Sequence, residues 1–523
     1  MRTRHLVRSL AAAAAGCAAL GAAVSAQAAP LPPAQAAQIE AITSGPGYPN
    51  ATWGIAVTDA ATGELVYGKN PQQMFTPGSI TKVFPSTAAL ESYAPDYRFR
   101  TPVYRVGPVS DGRLRGALSL VAQGDFSFGL RDRKGGTLAY ADGGADHNEA
   151  NSLGFVRSVS GDPLKALNAL AADVRASGIR RARDVVIDDR LFETYTGWLD
   201  GEITPIWVNE NLIDITLRPG GRKGAKARYT WRPKTAAYRV VSNVRTGAAT
   251  NITIDEPRPG IVRASGTIAS DGPSTVRTFL VTDAQAFART AFIQALERAG
   301  VAIDAETTGG NPTDELPRAR SYPASARLGE WVSPRFNEYV KVVNKISFNR
   351  GADLLACLVG ARVGIRDCEA GLARTAEIAQ GFGVPGTGFN NFDGAGSDDR
   401  NKHVPTTLNA LNKAATSQPW GALYRQDLPQ LGVPGGGDIA TFGQSSPVRG
   451  KLQAKTGTRA GGAPGAPAGL LISRGLSGYL TGASGREYLI TVMVNNVSFG
   501  AFDAIFNIIN DQVKIVEAVY AGT

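Results

Sequence analysis

The sequence predicts an α/β (α+β) fold: an antiparallel sheet with packed helices, interrupted by a large, mostly β insertion. Three observations predict it. A strand–turn–strand pattern followed by a helix stands near the start. Short alternating runs between Gly, Pro and Asp turns then fill roughly 180 residues, a domain-sized length. Strands and an amphipathic helix close the chain. With 523 residues the chain exceeds what one compact core usually holds. Its 43% hydrophobic and 19% charged residues read as globular.

The first segment reads as a signal rather than as structure. Arg2, Arg4 and Arg8 form a basic start, "LAAAAAGCAALGAAV" is an apolar core too short to span a bilayer, and "AQA" ending at Ala28 is a small-residue cleavage site. Residues 1–28 are therefore expected to leave, taking Cys17 and lowering the formal charge from +10 to about +7. No later apolar run suggests an integral membrane segment. Export to a periplasm or cell-wall compartment follows, and no nucleic-acid partner is expected. The modest basic excess suits an anionic wall surface, and equally plain solubility.

Next come a short helix over Pro33–Thr43, a strand over Thr52–Ala60, the turn "ATGE" and a returning strand over Leu65–Gly68, which together make a hairpin. The segment "TPGSITKVFPS" follows as a helix start, with Ser79 and Lys82 at i and i+3 on one face. The runs "ALSLVAQG", "DVVIDD", "YRVVSNV", "NITIDE", "IVRASGTI" and "TVRTFLV" carry the β texture of the insertion. Helical periodicity resumes over Asp283–Gly300, closed by glycine. Two further helical patterns over Ser333–Gly360 join at "ISFNR". "KLQAKTGT", "LSGYLTG" and "EYLITVMVNN" read as strands. Phe502–Val519 places Ile505, Ile508, Ile509, Val513 and Val516 on one helical face.

The titratable residues restrict the chemistry. His147 and His403 are the only histidines beyond the signal, far apart and without ligand spacing, which disfavours a zinc site or a Ser-His-Asp triad. "ADGGADHNEA" (Ala141–Ala150) has the residue types to hold a cation but reads rather as a solvated glycine-rich loop. No metal or cofactor is expected. Cys357 and Cys368 lie close together in an exported chain, so a disulfide between them is an expectation, with two buried thiols as the alternative.

Three motifs occur in order: Ser79-Ile80-Thr81-Lys82, Ser347-Phe348-Asn349 and Lys455-Thr456-Gly457. Taken alone each residue has a plainer role: Ser79 as a helix cap, Lys82 as a solvated lysine, Ser347 and Asn349 as turn residues, and Lys455 and Thr456 on an exposed edge strand. Together they meet the separate requirements of acyl transfer. Serine needs a base within hydrogen-bond reach, and one helical turn puts the Lys82 amine there. Desolvation and a second cation, Lys455, favour its neutral form. Ser347 can relay a proton to the leaving amine, and Asn349 can orient Lys82 and a substrate amide. Lys455 and Thr456 can grip a carboxylate, and Gly457 leaves the strand bare for substrate backbone. The amides of Ser79 and Thr458 are natural oxyanion donors.

On these residues the chain resembles the serine-type D-alanyl-D-alanine carboxypeptidase/endopeptidase family, the low-molecular-mass class C penicillin-binding proteins. "VTDAATGELVYGKNPQQMFTPGSITKVF", "SPRFNEYVKVVNKISFNRGADLL", "FDGAGSDDRN" and "LQAKTGTRAG…LSGYL…VMVNN" carry the likeness. So does the gap of 268 residues between Ser79 and Ser347. The resemblance implies a penicilloyl-serine-transferase, β-lactamase-like domain over 29–97 and 282–523, with β-rich inserted structure over 98–281. It implies peptidoglycan stem peptides ending in D-Ala-D-Ala, or cross-links ending in D-alanine, as substrates, and β-lactams as inhibitors. Ser79 would be the acylated residue, Lys82 its base, Ser347 and Asn349 the second element, and Lys455, Thr456 and Gly457 the third, with Lys345 a weaker addition. Alternatives are a β-lactamase-like hydrolase and a catalytically silent wall-binding protein. Phe348 departs from the family pattern, which more often has Asp or Asn there. It is expected to face the protein while 347 and 349 face the cleft. The stretch Arg459–Gly475 is expected to be a flexible glycine- and proline-rich segment at the site mouth.

Overall fold

The computed structural model describes residues 29–523 except 145, 153–155, 198–200, 463–467 and 501–503; the predicted signal segment lies outside the described residues. Its centre is a five-stranded antiparallel sheet in the order Leu65–Lys69, Thr52–Asp59, Glu487–Phe499, Gly469–Thr481, Leu452–Gly461. The two ends of the chain thus meet in one sheet. Its middle strands are continuously buried, because helices cover both faces. On one face the terminal helices Pro33–Thr43 and Ala504–Ala521 pack together. There the expected stripe of Ile505, Ile508, Ile509, Val513 and Val516 meets Ile55, Val57, Ile490 and Val492. On the other face lie Pro405–Thr416 and the Ser79 segment, around Phe84, Leu408, Leu411 and Met493. Beside the sheet stand the helices Val83–Tyr93, Phe336–Lys345, Asn349–Arg362 and Cys368–Gly381. A Cys357–Cys368 disulfide ties the last two together. Among the described residues no helix is long and apolar enough to cross a membrane.

The insertion is larger than its local texture indicates, and the boundary expected at 281 is corrected. Its main sheet runs Ala302–Ile303, Arg181–Asp188, Arg113–Val121, Arg100–Val106, Arg327–Val332, with Val109–Ser110 beside the third strand. Arg327–Val332 pairs back onto Arg100–Val106, the earliest of these strands in the chain, with Trp331 opposite Thr101, so this unit closes only at Val332. Helix Ala284–Arg298 also belongs to it: Phe287, Phe292 and Leu296 pack in one core with Leu118 and Val185. Periodicity identified that helix but says nothing of which sheet it covers. A second helix, Lys165–Ala176, bridges the parallel strands Arg113–Val121 and Arg181–Asp188, since parallel neighbours need a crossover. Among the described residues, three smaller sheets of three, four and two strands complete the insertion.

The segment Arg459–Gly475 is corrected too. Arg459–Gly461 and Gly469–Gly475 are strand residues that extend the hairpin, with an irregularity at Ile472, and only 463–467 of the segment lie outside the described residues.

Candidate active site

The segment Gly78–Lys82 is a 3₁₀ turn leading into helix Val83–Tyr93, rather than the first turn of an α-helix. In a 3₁₀ turn residues three apart eclipse, so Lys82 stands directly over Ser79, with Nζ 2.7 Å from Oγ. Gly78 enters the turn at φ +56°, a conformation that side chains disfavour. Ser79 is half-buried, while Lys82 is fully buried.

Two other segments reach the Lys82 amine. Asn349, the first residue of its helix, accepts from it at 2.7 Å, and the Ala395 carbonyl accepts at 2.5 Å. That carbonyl sits in the Asp393–Ser397 loop, shaped by the Asp393 carboxylate, which accepts from the amides of Gly396 and Asp398. Gly396, at φ +81°, is pressed against the nucleophile turn: a Cβ there would stand 1.9 Å from the Gly78 carbonyl oxygen. A neutral amine has two N–H donors and one lone pair. Asn349 and Ala395 can take the donors, leaving the lone pair for the Ser79 hydroxyl.

The third segment is the edge strand Leu452–Gly461. Lys455 is fully buried and donates to Ser347 Oγ at 3.0 Å and to the Thr456 carbonyl at 2.8 Å. Burial pulls its pKa down to about 7, against Asp438 and with help from the charges of Lys82 and Arg474. The Thr456 hydroxyl donates to Asp438. Thr458 stands opposite Arg474 on the neighbouring strand, and Arg474 Nη1 donates to its hydroxyl at 2.6 Å. The Thr458 amide lies beside Gly78, where a Cβ would be 3.2 Å from its nitrogen. The bare face of Gly457 packs on the nucleophile turn rather than awaiting substrate: a Cβ there would stand 2.2 Å from the Pro77 carbonyl oxygen and 3.1 Å from the Ser79 amide nitrogen.

Phe348 is buried as expected, at a reversal of the chain. Ser347 adopts φ +59° and Asn349 begins a helix, so the chain reverses at this point. Phe348 drops between Phe126 and Trp207, with ring centroids at 5.2 and 6.5 Å, and the Arg131 guanidinium lies 5.9 Å from its ring.

Lys345 is not brought to Ser79. Its amine donates to the Leu428 carbonyl at 2.6 Å, and burial lowers its pKa to about 8.

The reading of Ala141–Ala150 as a solvated loop is corrected. Asp146 and His147 are buried with Arg131, Glu210 and Asp214. Arg131 donates to Asp146 and Glu210; His147 bridges Asp214 at 2.9 Å and Glu210 at 3.0 Å. Asp146, His147 and Glu210 are close enough together for a metal, yet Arg131 already uses the carboxylates. Burial lowers the His147 pKa, but the carboxylates of Asp214 and Glu210 outweigh it and push it up to about 10. Three consecutive residues, Asn209, Glu210 and Asn211, have φ from +52 to +53°, a strained turn that this ion cluster holds. Its Glu210 carbonyl accepts from Arg350 Nη2 at 2.5 Å, so the insertion braces the residue next to Asn349.

The structure therefore brings Ser79, Lys82, Ser347, Asn349, Lys455, Thr456, Gly457 and Thr458 together and leaves Lys345 apart. Arg474, Asp438, Ala395 and the Arg350 brace were missed in the sequence. Arg474 was findable only by pairing "SRG" in register with "KTGT"; the others depend on loop geometry.

A family model described as the D-Ala-D-Ala carboxypeptidase 3 (S13) family matches residues 35–516. The chain is 26% identical over 518 residues to a D-alanyl-D-alanine carboxypeptidase of Actinomadura sp. (strain R39), covering 92% of this chain and 84% of that protein. It is 23% identical over 456 residues to the penicillin-sensitive carboxypeptidase A of Dictyostelium discoideum, covering 81% and 80%. Its fold is similar to the crystal structure of penicillin binding protein 4 from Haemophilus influenzae, with a TM-score of 0.67 and 18% identity over 92% of this chain and 98% of that one.

Proposed function

The chain belongs to the D-Ala-D-Ala carboxypeptidase 3 (S13) family, and on that premise we propose that it removes the terminal D-alanine of peptidoglycan stem peptides through an acyl-enzyme on Ser79. The observation that carries the reading is the 2.7 Å approach of Lys82 Nζ to Ser79 Oγ, with Asn349 and Ala395 on the same amine. Lys82 takes the Ser79 proton as Oγ attacks the penultimate D-alanine carbonyl. The adjacent amides of Ser79 and Thr458 stabilise the oxyanion. Lys455, which titrates near neutrality, passes a proton through Ser347 to the departing amine. Once Lys82 has released the Ser79 proton to solvent and Lys455 has regained one, water splits the ester with the again-neutral Lys82 as base.

The carboxylate-binding role moves from where the sequence suggested. Lys455 is buried against Ser347, and the Thr456 hydroxyl is occupied by Asp438. Thr458 and the buried Arg474 guanidinium remain at the cleft to receive a substrate's terminal carboxylate.

The same chemistry on a D-alanyl cross-link is endopeptidase action, and a β-lactam would be trapped on Ser79 as a mimic of D-Ala-D-Ala. The disulfide suits a site of action at the wall, outside the reducing cytoplasm. Incubation with purified muropeptides followed by mass spectrometry tests the reading. Loss of one alanine from pentapeptides supports it, and splitting of dimers adds the endopeptidase form. No change in either set contradicts it.

A further inference from the structure

The cleft divides at Ser79 into two lobes, both lined in part by Ser79, Asn349 and Thr458. One runs past Arg350, Ser397 and Arg459 and is mostly polar, and Glu149 lines both lobes. The other, a cavity of about 360 Å³, is walled by Ile346, Ile439, Phe442, Ile505, Phe506 and Ile509. Phe442 and Phe506 stack with centroids 6.1 Å apart, and Phe506 is 39% exposed.

The direction of a bound peptide decides which lobe meets which part of it. Of the two residues placed to receive the carboxylate, Thr458 lines both lobes, and Arg474 lines the apolar lobe and not the polar one. The terminal carboxylate is therefore held on the apolar side, and the residue about to be released lies there. An alanine methyl fills little of such a cavity, and each further methylene taken from water into it is favourable. Asp438 also lines this lobe and repels a second carboxylate.

We propose that this lobe is a leaving-residue subsite for apolar D-amino acid side chains larger than methyl, so that the enzyme also hydrolyses D-Ala–D-Xaa termini with leucine- or phenylalanine-like Xaa. This rests on the carboxypeptidase reading above. The reaction is the same: Ser79 Oγ bonds the D-alanine carbonyl carbon, the C–N bond breaks, and the D-Xaa amine leaves with one proton. One water then hydrolyses the ester and regenerates Ser79.

The full chain is incubated with diacetyl-L-lysyl-D-alanyl-D-Xaa, where Xaa is Ala, Leu, Phe or Glu, and the released D-residue is measured by chromatography. The expected kcat/KM for D-Leu and D-Phe equals or exceeds that for D-Ala, with D-Glu slowest. Phe506→Ser and, separately, Phe442→Ala should lower D-Leu and D-Phe release about tenfold more than D-Ala release, the scale of lost contacts in an apolar pocket. Retained D-Ala release shows that each variant is folded. D-Leu and D-Phe released more than about tenfold slower than D-Ala, or variants that slow all substrates alike, overturn the subsite. D-Ala release with no D-Leu or D-Phe release overturns the subsite alone. No release of any D-residue overturns the carboxypeptidase reading and the subsite with it.

Discussion

Gly457 packs so tightly on Pro77 that a Cβ would stand 2.2 Å from the Pro77 carbonyl oxygen. The strand carrying Lys455 and the turn carrying Ser79 are therefore set against each other by backbone contact, and the hydroxyl at 79 is placed by that contact.

Gly457→Ala must push the two segments apart, since the clashing atom is backbone and has no rotamer to adopt. A displacement near 1 Å costs on the order of 100-fold in rate. The acylation rate with a reporter penicillin should fall by about that factor, while far-UV circular dichroism stays unchanged.

Lys82→Arg puts a permanently charged guanidinium with no lone pair where the amine stood, so the Ser79 hydroxyl loses its base. General-base catalysis contributes about 10²–10⁴-fold. The expected loss in kcat/KM for a D-Ala-D-Ala tripeptide lies in that range; a variant with near wild-type rates removes Lys82 from the mechanism.

Phe348 fills a buried aromatic space beside Phe126 and Trp207. Phe348→Ala should cost about 3–5 kcal/mol of stability, as large core truncations do, measured by denaturant unfolding. Because Ser347 and Asn349 flank it, activity should fall as well.

The three motifs were legible because each is a few adjacent side chains whose chemistry shows in their identity. The central sheet was legible because its strands and helices have clean periods, as over Thr52–Asp59 and Ile505–Val516. The end of the insertion was not: the return of Trp331 to Thr101 spans a helix and several turns, and no local period encodes such pairing. Nor was the role of Gly457, which depends on what lies across from it. The buried His147 cluster was hidden by a glycine-rich local sequence that resembles solvated loop, and its partners Glu210 and Asp214 lie more than sixty residues away.

His147 gives a pH dependence with a definite sign. Its folded pKa, about 10, lies above its ordinary value of 6.5. Its stabilising contribution is therefore fully present below about 6.5 and is lost as pH rises through about 10. Glu210 and Asp214 are held below their ordinary values; burial opposes this, but His147, with Arg131 at Glu210 and Arg232 at Asp214, outweighs it. Their contribution is lost toward acid instead. The gap in melting temperature between wild type and His147→Gln should be widest near pH 6 and narrow steadily toward pH 10. A gap that widens with pH contradicts the assignment.

The central claim is that the hydroxyl of residue 79 is the acylated group, and mass spectrometry of the protein treated with a penicillin tests it most directly. A single adduct per chain is expected, located by peptide mapping to the peptide containing Ser79 and absent from Ser79→Ala. An adduct on another residue, or equal labelling of Ser79→Ala, would contradict it.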